Sequence, residues 1–267
     1  MRIVNSFEKL AQLRIIKISN VVSLIAVFTV NALANALPLN GKGTGEISDS
    51  YPDLFAPSGL TFAIWGVIYF LLALFAIEQF TLEKAQEDVA KIGWLFTASN
   101  LANFAWIFSW HWEVIELSLV FMLILLGCLL AIYLRLNPGK QEPELSFKVR
   151  NLSMYVPFSV YLGWITVATI ANVTTLLVDV GWNGWGISNS AWAIIVIIVG
   201  TLIGLGVLFT KGDLGYGAVI VWSFAGIAIK RLDPEIGSNP EVGYVAIAGA
   251  TVIFAYWMYL LVKAAKK

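Results

Sequence analysis

The segment Met154–Val178, MYVPFSVYLGWITVATIANVTTLLV, decides the fold of this chain. It is apolar and long enough to cross the hydrocarbon core of a bilayer as a helix. Trp164, Ala168 and Asn172 recur at intervals of four residues, so they share one helix face. Because an unpaired amide in hydrocarbon is costly, Asn172 must face another helix or a bound molecule. Two interpretations follow, a helix-packing face and a ligand-binding face.

The composition is that of a membrane protein. Of the 267 residues, 59% are hydrophobic and only 13% are charged, and 11 are tryptophan, which lies outside the usual range of soluble domains. No basic patch indicates a nucleic-acid partner. The chain has one cysteine, Cys128, and one histidine, His111, so neither a disulfide framework nor a metal cluster of these residues is expected.

Hydropathy predicts an all-α, polytopic bundle of about eight transmembrane helices in the lipid bilayer. The predicted spans are Ile18–Leu37, Gly59–Phe80, Ile92–Trp110, Ile115–Leu134, Tyr155–Val178, Ala191–Thr210, Leu214–Ile229 and Val242–Val262. Between the first two lies a polar, acidic segment, Asn40–Ser58, in which Pro52 and Pro57 forbid a continuous helix. We expect this segment to lie outside the membrane, folded over the bundle.

The basic residues predict the orientation. With eight spans, all but three of the 17 lysines and arginines fall in the segments on the side of the N-terminus. The exceptions are Lys42, Lys230 and Arg231. By the positive-inside rule, both termini are therefore predicted to be cytoplasmic.

The first span has a second interpretation. It follows a basic flank, and Ala32, Ala34 and Ala36 offer small-residue cleavage patterns, as in a secretory signal peptide. Asn20, Asn31 and Asn35 fit a packed helix better than a discarded leader.

Two further spans carry stripes like that of the fifth. Trp65 and Tyr69 lie one turn apart in the second span, and Asn100, Asn103 and Trp106 follow one another at three-residue steps in the third. Flat aromatic faces can stack on a planar ring, and a few amides can fix its orientation. The same residues would also serve helix packing.

Three motifs in these spans resemble those of the TspO/MBR family, the tryptophan-rich sensory or translocator-like proteins. A W-x-x-L-Y pattern is similar to Trp65–Tyr69, with Ile68 in place of Leu, and an N-x-x-N-x-x-W pattern is similar to Asn100–Trp106. A Y-x-x-W-x-x-F-A-x-x-x-N pattern resembles Tyr161–Asn172, with Val167 in place of Phe. The resemblance covers roughly residues 15–180 and marks the chain as a longer, eight-helix variant.

The resemblance implies a family-like five-helix bundle over residues 1–180, with residues 181–267 adding three helices of unassigned role. It implies a pocket for a tetrapyrrole, sterol or similar hydrophobic planar molecule, and a homodimer. The implied ligand-binding residues are Trp65, Tyr69, Asn100, Asn103, Trp106, Tyr161, Trp164, Ala168 and Asn172. No cofactor is required, although a bound porphyrin would fit, and His111 lies outside the cluster, which disfavours axial haem ligation.

The function predicted from these features is binding or sensing of a hydrophobic ligand, in a multi-pass protein of a prokaryotic plasma membrane. The alternatives are a transporter or permease and a structural subunit of a membrane complex. Transport coupling would need ionisable groups, which the middles of the spans lack. No catalytic residues and no metal ligands are predicted, since neither a nucleophile with its base nor a metal cluster is visible. Tryptophan-dependent breakdown of a bound porphyrin leaves the question of an enzyme open.

Overall fold

The computed structural model describes residues 2–37, 39–81, 85–136, 151–235 and 239–266. These residues form ten α-helices and no strand, which confirms the predicted all-α class. The helices are α1 (Arg2–Ala36), α2 (Thr44–Ser50), α3 (Ile64–Thr81), α4 (Ala85–Ile92), α5 (Leu95–His111), α6 (Ile115–Leu136), α7 (Val156–Asp179), α8 (Asn189–Lys211), α9 (Leu214–Leu232) and α10 (Pro240–Ala265).

Each of the eight predicted spans corresponds mainly to one long helix, although some of the predicted ends differ from those of the helices. Six helical segments of the described chain are long and apolar enough to cross a membrane, namely Glu8–Ala36, Gly59–Thr81, Ile115–Leu136, Leu152–Asp179, Asn189–Lys211 and Pro240–Ala265. The other two predicted spans correspond to α5, which has only 17 residues, and to α9, whose last turn carries Lys230 and Arg231. The start predicted for the third span at Ile92 was wrong. Ile92 ends α4, and the chain turns at Gly93, whose φ is +57°.

Polar contacts near the ends of the eight long helices show that consecutive helices alternate in direction. At one end, Lys42 pairs with Glu113 at 2.7 Å, which joins the segment after α1 to the turn after α5. At the opposite end, the Tyr133 hydroxyl donates to the Asp213 carboxylate at 2.7 Å, which joins the end of α6 to the start of α9. We call these the outer and inner ends. The alternation agrees with eight crossings, and cytoplasmic termini stay a prediction.

The three basic residues that the positive-inside rule leaves outside are held at the outer end. Lys42 pairs with Glu113, and the Lys230 ammonium pairs with the Asp49 carboxylate. The Arg231 guanidinium donates to the carbonyl oxygen of Asp53 at 3.2 Å. Carboxylate or carbonyl oxygens thus compensate the positive charge of the three basic residues at the outer end.

The last three long helices, α8–α10, pack directly against the first five long helices, which are α1, α3, α5, α6 and α7. A Cβ atom at Gly163 of α7 would lie 3.1 Å from the Cβ of Val219 of α9, so glycine permits this close approach. In α8, a Cβ at Gly200 would lie 3.0 Å from the Phe224 ring, and one at Gly204 would lie 3.1 Å from Ile253. Small residues therefore allow close contact along this side of the bundle. The division of the chain at residue 180 stays a prediction.

Candidate functional site

A small cavity lies between α3, α5 and α7 near the outer end. Its volume is about 40 Å³, and its walls are Ser48, Pro57, Phe62, Trp65, Trp106, Trp110, Trp164, Val167, Ala168, Ala171, Asn172 and Thr175. Of the nine residues implied by the sequence resemblance, five are in this wall: Trp65, Trp106, Trp164, Ala168 and Asn172. The other four, Tyr69, Asn100, Asn103 and Tyr161, are not.

Aromatic rings form most of the wall. Trp65 and Trp164 meet edge to face, with centroids 6.2 Å apart, and Phe62 meets Trp164 in the same way at 5.6 Å. Trp106 stacks on Trp110 with centroids 5.7 Å apart. Such pairs add stability beyond the burial of their area and hold the rings in defined orientations. The cavity therefore presents ring edges and faces rather than flexible aliphatic chains.

The asparagine stripes connect helices. Asn172 of α7 accepts a hydrogen bond from the indole N–H of Trp106 at 3.1 Å and donates to Ser118 of α6 at 2.9 Å. Asn103 of α5 accepts from Asn31 of α1 at 3.1 Å and donates to the hydroxyl of Tyr161 at 2.6 Å. These bonds satisfy the buried amides inside the bundle. A direct contact of these amides with a ligand stays a prediction.

Asn100 is only partly satisfied. Its amide nitrogen donates to Ser23 of α1 at 3.0 Å, whereas its Oδ1 has no hydrogen-bond partner among the described residues. The same holds for the hydroxyl of Tyr69 and for the indole Nε1 of Trp164. Trp164 is only 2% exposed and is in the cavity wall. Its unpaired N–H is thus a buried donor beside the cavity, where an acceptor would stabilise it.

A segment that closes the outer end of the cavity was located only in part by the sequence. Residues 39–63, here called the covering segment, supply Ser48, Pro57 and Phe62 to the cavity wall. The sequence predicted that Asn40–Ser58 folds over the bundle, but none of these three residues was predicted to belong to the site. Trp110 and Thr175 were also missed, although helical spacing after Trp106 and Asn172 could have found them.

Hydrogen bonds from α5 hold the first part of the covering segment. The indole N–H of Trp110 donates to the carbonyl of Thr44 at 3.2 Å. The His111 ring lies 3.0 Å from the Thr44 hydroxyl and 3.0 Å from the carbonyl oxygen of Leu39. His111 is only 1% exposed, so it is a buried part of this anchor.

Hydrogen bonds from α9 hold the second part. The indole N–H of Trp222 donates to the carbonyl of Thr61 at 2.9 Å, and the backbone N–H of Ser58 donates to the carbonyl of Gly226 at 3.1 Å. A Cβ at Gly226 would lie 1.9 Å from the Thr61 hydroxyl oxygen, so only glycine permits this contact. The covering segment is therefore held between α5, one of the first five long helices, and α9, one of the last three.

The described residues contain no group of three His, Cys, Asp or Glu side chains that could hold a metal ion. A family model described as "TSPO-like protein" matches residues 17–259, from within α1 to within α10. No curated protein matches the chain. No solved structure matches it either.

Proposed function

Since the chain belongs to the TSPO-like protein family, we propose that it binds a planar hydrophobic molecule, a tetrapyrrole or a sterol-like ring system, between α3, α5 and α7. The protein is an integral, multi-pass membrane protein. Binding without turnover is the proposed activity, and sensing is its proposed purpose. A homodimer in a prokaryotic plasma membrane belongs to the same proposal.

The observation that carries this proposal is the unpaired indole N–H of Trp164 in an aromatic cavity wall. Leaving a buried donor without an acceptor destabilises a protein by about 1–3 kcal/mol. A ligand carbonyl, carboxylate or hydroxyl oxygen would accept this hydrogen bond. The rings of Trp65, Trp106 and Trp110 would supply the flat apolar contacts of a planar ligand.

The cavity must widen before such a ligand can enter. A volume of about 40 Å³ accommodates only a few water molecules. Pockets for small molecules usually measure about 300–1,000 Å³. Phe62, which lies edge-on to Trp164, belongs to the covering segment, so movement of that segment would withdraw this ring from the cavity. Ligand binding is therefore coupled to opening of the covering segment.

The chemistry of the wall favours binding over coupled transport. None of the described residues that line the cavity carries an ionisable side chain. Transporters and pumps commonly place such groups inside the membrane to couple movement to ions or protons. A neutral aromatic wall suits retention of an apolar planar ring.

The experiment is a titration with protoporphyrin IX of the full chain in lipid nanodiscs, followed by tryptophan fluorescence. We expect saturable quenching of the parent protein. Trp164→Phe keeps a ring but removes the N–H, so its Kd should rise about five- to tenfold, the effect of one hydrogen bond. Trp94→Phe is the control, because Trp94 is 48% exposed and outside the cavity. Equal affinities of both variants, or no saturable quenching, would argue against the proposed site.

A further inference from the structure

A second and larger cavity lies at the outer end, where the five-helix region meets the start of α8. Its volume is about 280 Å³, and it lies between residues 52–55, the end of α7 and the start of α8. Its walls are Pro52, Asp53, Leu54, Phe55, Thr174, Leu177, Val178, Gly181, Trp182, Gly184, Asn189, Trp192, Ala193 and Val196. The volume is close to the lower limit for small-molecule pockets, so it suits a compact ligand.

A buried carboxylate is the distinctive polar group of this second cavity. Asp53 is only 4% exposed. Its Oδ1 accepts the backbone N–H of Phe55 at 2.8 Å, and its Oδ2 accepts the hydroxyl of Thr174 at 2.6 Å. Each carboxylate oxygen can accept a further hydrogen bond or face a positive charge.

No cationic side chain of the described residues forms an ion pair with the Asp53 carboxylate. Lys230 pairs with Asp49 instead, and Arg231 donates to the backbone carbonyl of Asp53. Burial raises the pKa of Asp53, against the opposing effects of Thr174, the Phe55 N–H, Arg231 and Lys230. A buried carboxylate that forms no ion pair is costly, so a positively charged ligand in contact with it would stabilise it.

Tryptophans stand in the same wall. Trp182 and Trp192 line the cavity, with ring centroids 5.2 Å apart. The indole N–H of Trp192 donates to the carbonyl of Gly184 at 2.8 Å, which fixes that ring. Gly184 has a φ of +63°, and a Cβ there would lie 3.3 Å from the Trp192 ring, so glycine is required at this turn. The faces of indole rings attract cations more strongly than those of other side chains.

We infer that this second cavity binds a methylated ammonium group, with Trp182 and Trp192 contacting its methyl groups and the Asp53 carboxylate balancing its charge. An anion would be repelled by Asp53, and a neutral ligand would leave that carboxylate without an ion-pair partner. The inference does not depend on the function proposed for the first cavity, since the two cavities share no lining residue.

The test compares choline with 3,3-dimethyl-1-butanol, which has the same shape but no charge. Each is titrated against the full chain in phosphatidylglycerol nanodiscs at constant ionic strength, with tryptophan fluorescence as the signal. Choline should give a saturable change, and the neutral alcohol should bind at least about tenfold more weakly. Equal responses to the two compounds, or no saturable response to choline, would overturn the inference.

Two variants locate the site. Asp53→Asn and Trp182→Leu should each weaken choline binding by about tenfold or more. Asp179→Asn removes an exposed carboxylate at the same end, and Trp185→Leu removes a ring that touches Trp182 but is 76% exposed and outside the cavity wall. Both control variants should bind choline as the parent does. Parental affinity in folded Asp53→Asn and Trp182→Leu proteins would contradict the assignment.

The methylated ammonium group could come from a free ion or from a choline lipid headgroup. Replacing phosphatidylglycerol by phosphatidylcholine in the nanodisc separates the two sources. A headgroup that occupies the cavity would compete and lower the apparent affinity for choline, whereas an unchanged affinity identifies a free ion as the ligand. Both results presuppose the saturable, Asp53-dependent choline response in phosphatidylglycerol.

Discussion

Asn103 makes hydrogen bonds that connect three helices in the interior of the bundle. Its amide joins α1 through Asn31 and α7 through Tyr161. We expect Asn103→Ala to lower the stability of the folded protein by about 1 kcal/mol, because the Tyr161 hydroxyl loses its donor inside the membrane. Thermal denaturation in mild detergent measures this loss, while the affinity for protoporphyrin should stay at the parental value.

Asn100 provides the matched comparison. Its amide makes one bond, to Ser23, and its Oδ1 is already without a partner among the described residues. Asn100→Ala should therefore destabilise by a smaller amount, about 0.6 kcal/mol. If Asn103→Ala instead left stability unchanged and reduced affinity, the residue would belong to the ligand site and not to helix packing.

Asp53 makes stability depend on pH in a defined direction. Burial raises the pKa of Asp53 in the folded protein above the ordinary value of 3.8, which applies to the unfolded chain. At a pH between the ordinary and the raised pKa, the folded protein therefore binds more protons than the unfolded chain. The contribution of Asp53 to stability therefore falls as pH rises from about 4, and it becomes constant above the raised pKa. The Tm of the parent, measured relative to that of Asp53→Asn, should decrease over this range. A constant difference, or an increase with pH, would contradict the assigned shift.

At the scale of elements, we expect the contacts of α9 to control how easily the covering segment opens. Trp222→Phe removes the N–H that holds the Thr61 carbonyl but keeps an aromatic ring in place. Loss of about 1 kcal/mol from the closed arrangement raises the open population about fivefold. We expect protoporphyrin to associate about fivefold faster in stopped-flow fluorescence.

Trp257→Phe is the control for this experiment. The Trp257 indole N–H also donates to a backbone carbonyl, that of Leu214 at 2.8 Å, but at the inner end and away from the covering segment. Protoporphyrin should associate with Trp257→Phe at the same rate as with the parent. Equal association rates in Trp222→Phe and Trp257→Phe would show that α9 does not control the opening of the covering segment.

The eight long helices could be predicted because a membrane helix is encoded locally, in a long apolar run. The stripe of Trp164, Ala168 and Asn172 likewise follows from helical spacing alone, and all three residues line the cavity. The presence of Phe62 and Pro57 in the wall of the first cavity could not be predicted. The covering segment that carries them is held by contacts with α9, more than 150 residues later in the chain. The turn at Gly93 was missed because α4 and α5 are almost continuous in sequence.

At the scale of the whole molecule, the alternation of helices predicts the sidedness of the loops. Cys128 is the only cysteine, so a Cys128→Ser background allows single cysteines to be labelled with a membrane-impermeant maleimide. Lys42→Cys should be labelled from outside intact cells and Lys266→Cys only after the membrane is opened. Labelling of both positions from the same side would rule out an even number of crossings.

Each of the two cavities depends on contacts between the first five long helices, with their covering segment, and the last three long helices. The first cavity lies among α3, α5 and α7, and α9 fastens the segment that covers it. The second cavity lies where α7 continues into α8. The last three helices thus take part in both sites, in keeping with a family match that extends over residues 17–259.

The affinity of Ala168→Phe for protoporphyrin IX is the most direct measure of whether the first cavity is the ligand site. Ala168 is in the cavity wall, so an added ring fills the space that the ligand needs. Ala73→Phe makes the same change at an exposed position of α3 and serves as the control. Overpacking of a well-packed interior typically lowers stability by about 1–3 kcal/mol, so folding of both variants is checked by their Tm. We expect saturable quenching in the parent and in Ala73→Phe and none in Ala168→Phe, whereas a folded Ala168→Phe protein with parental affinity would contradict the site.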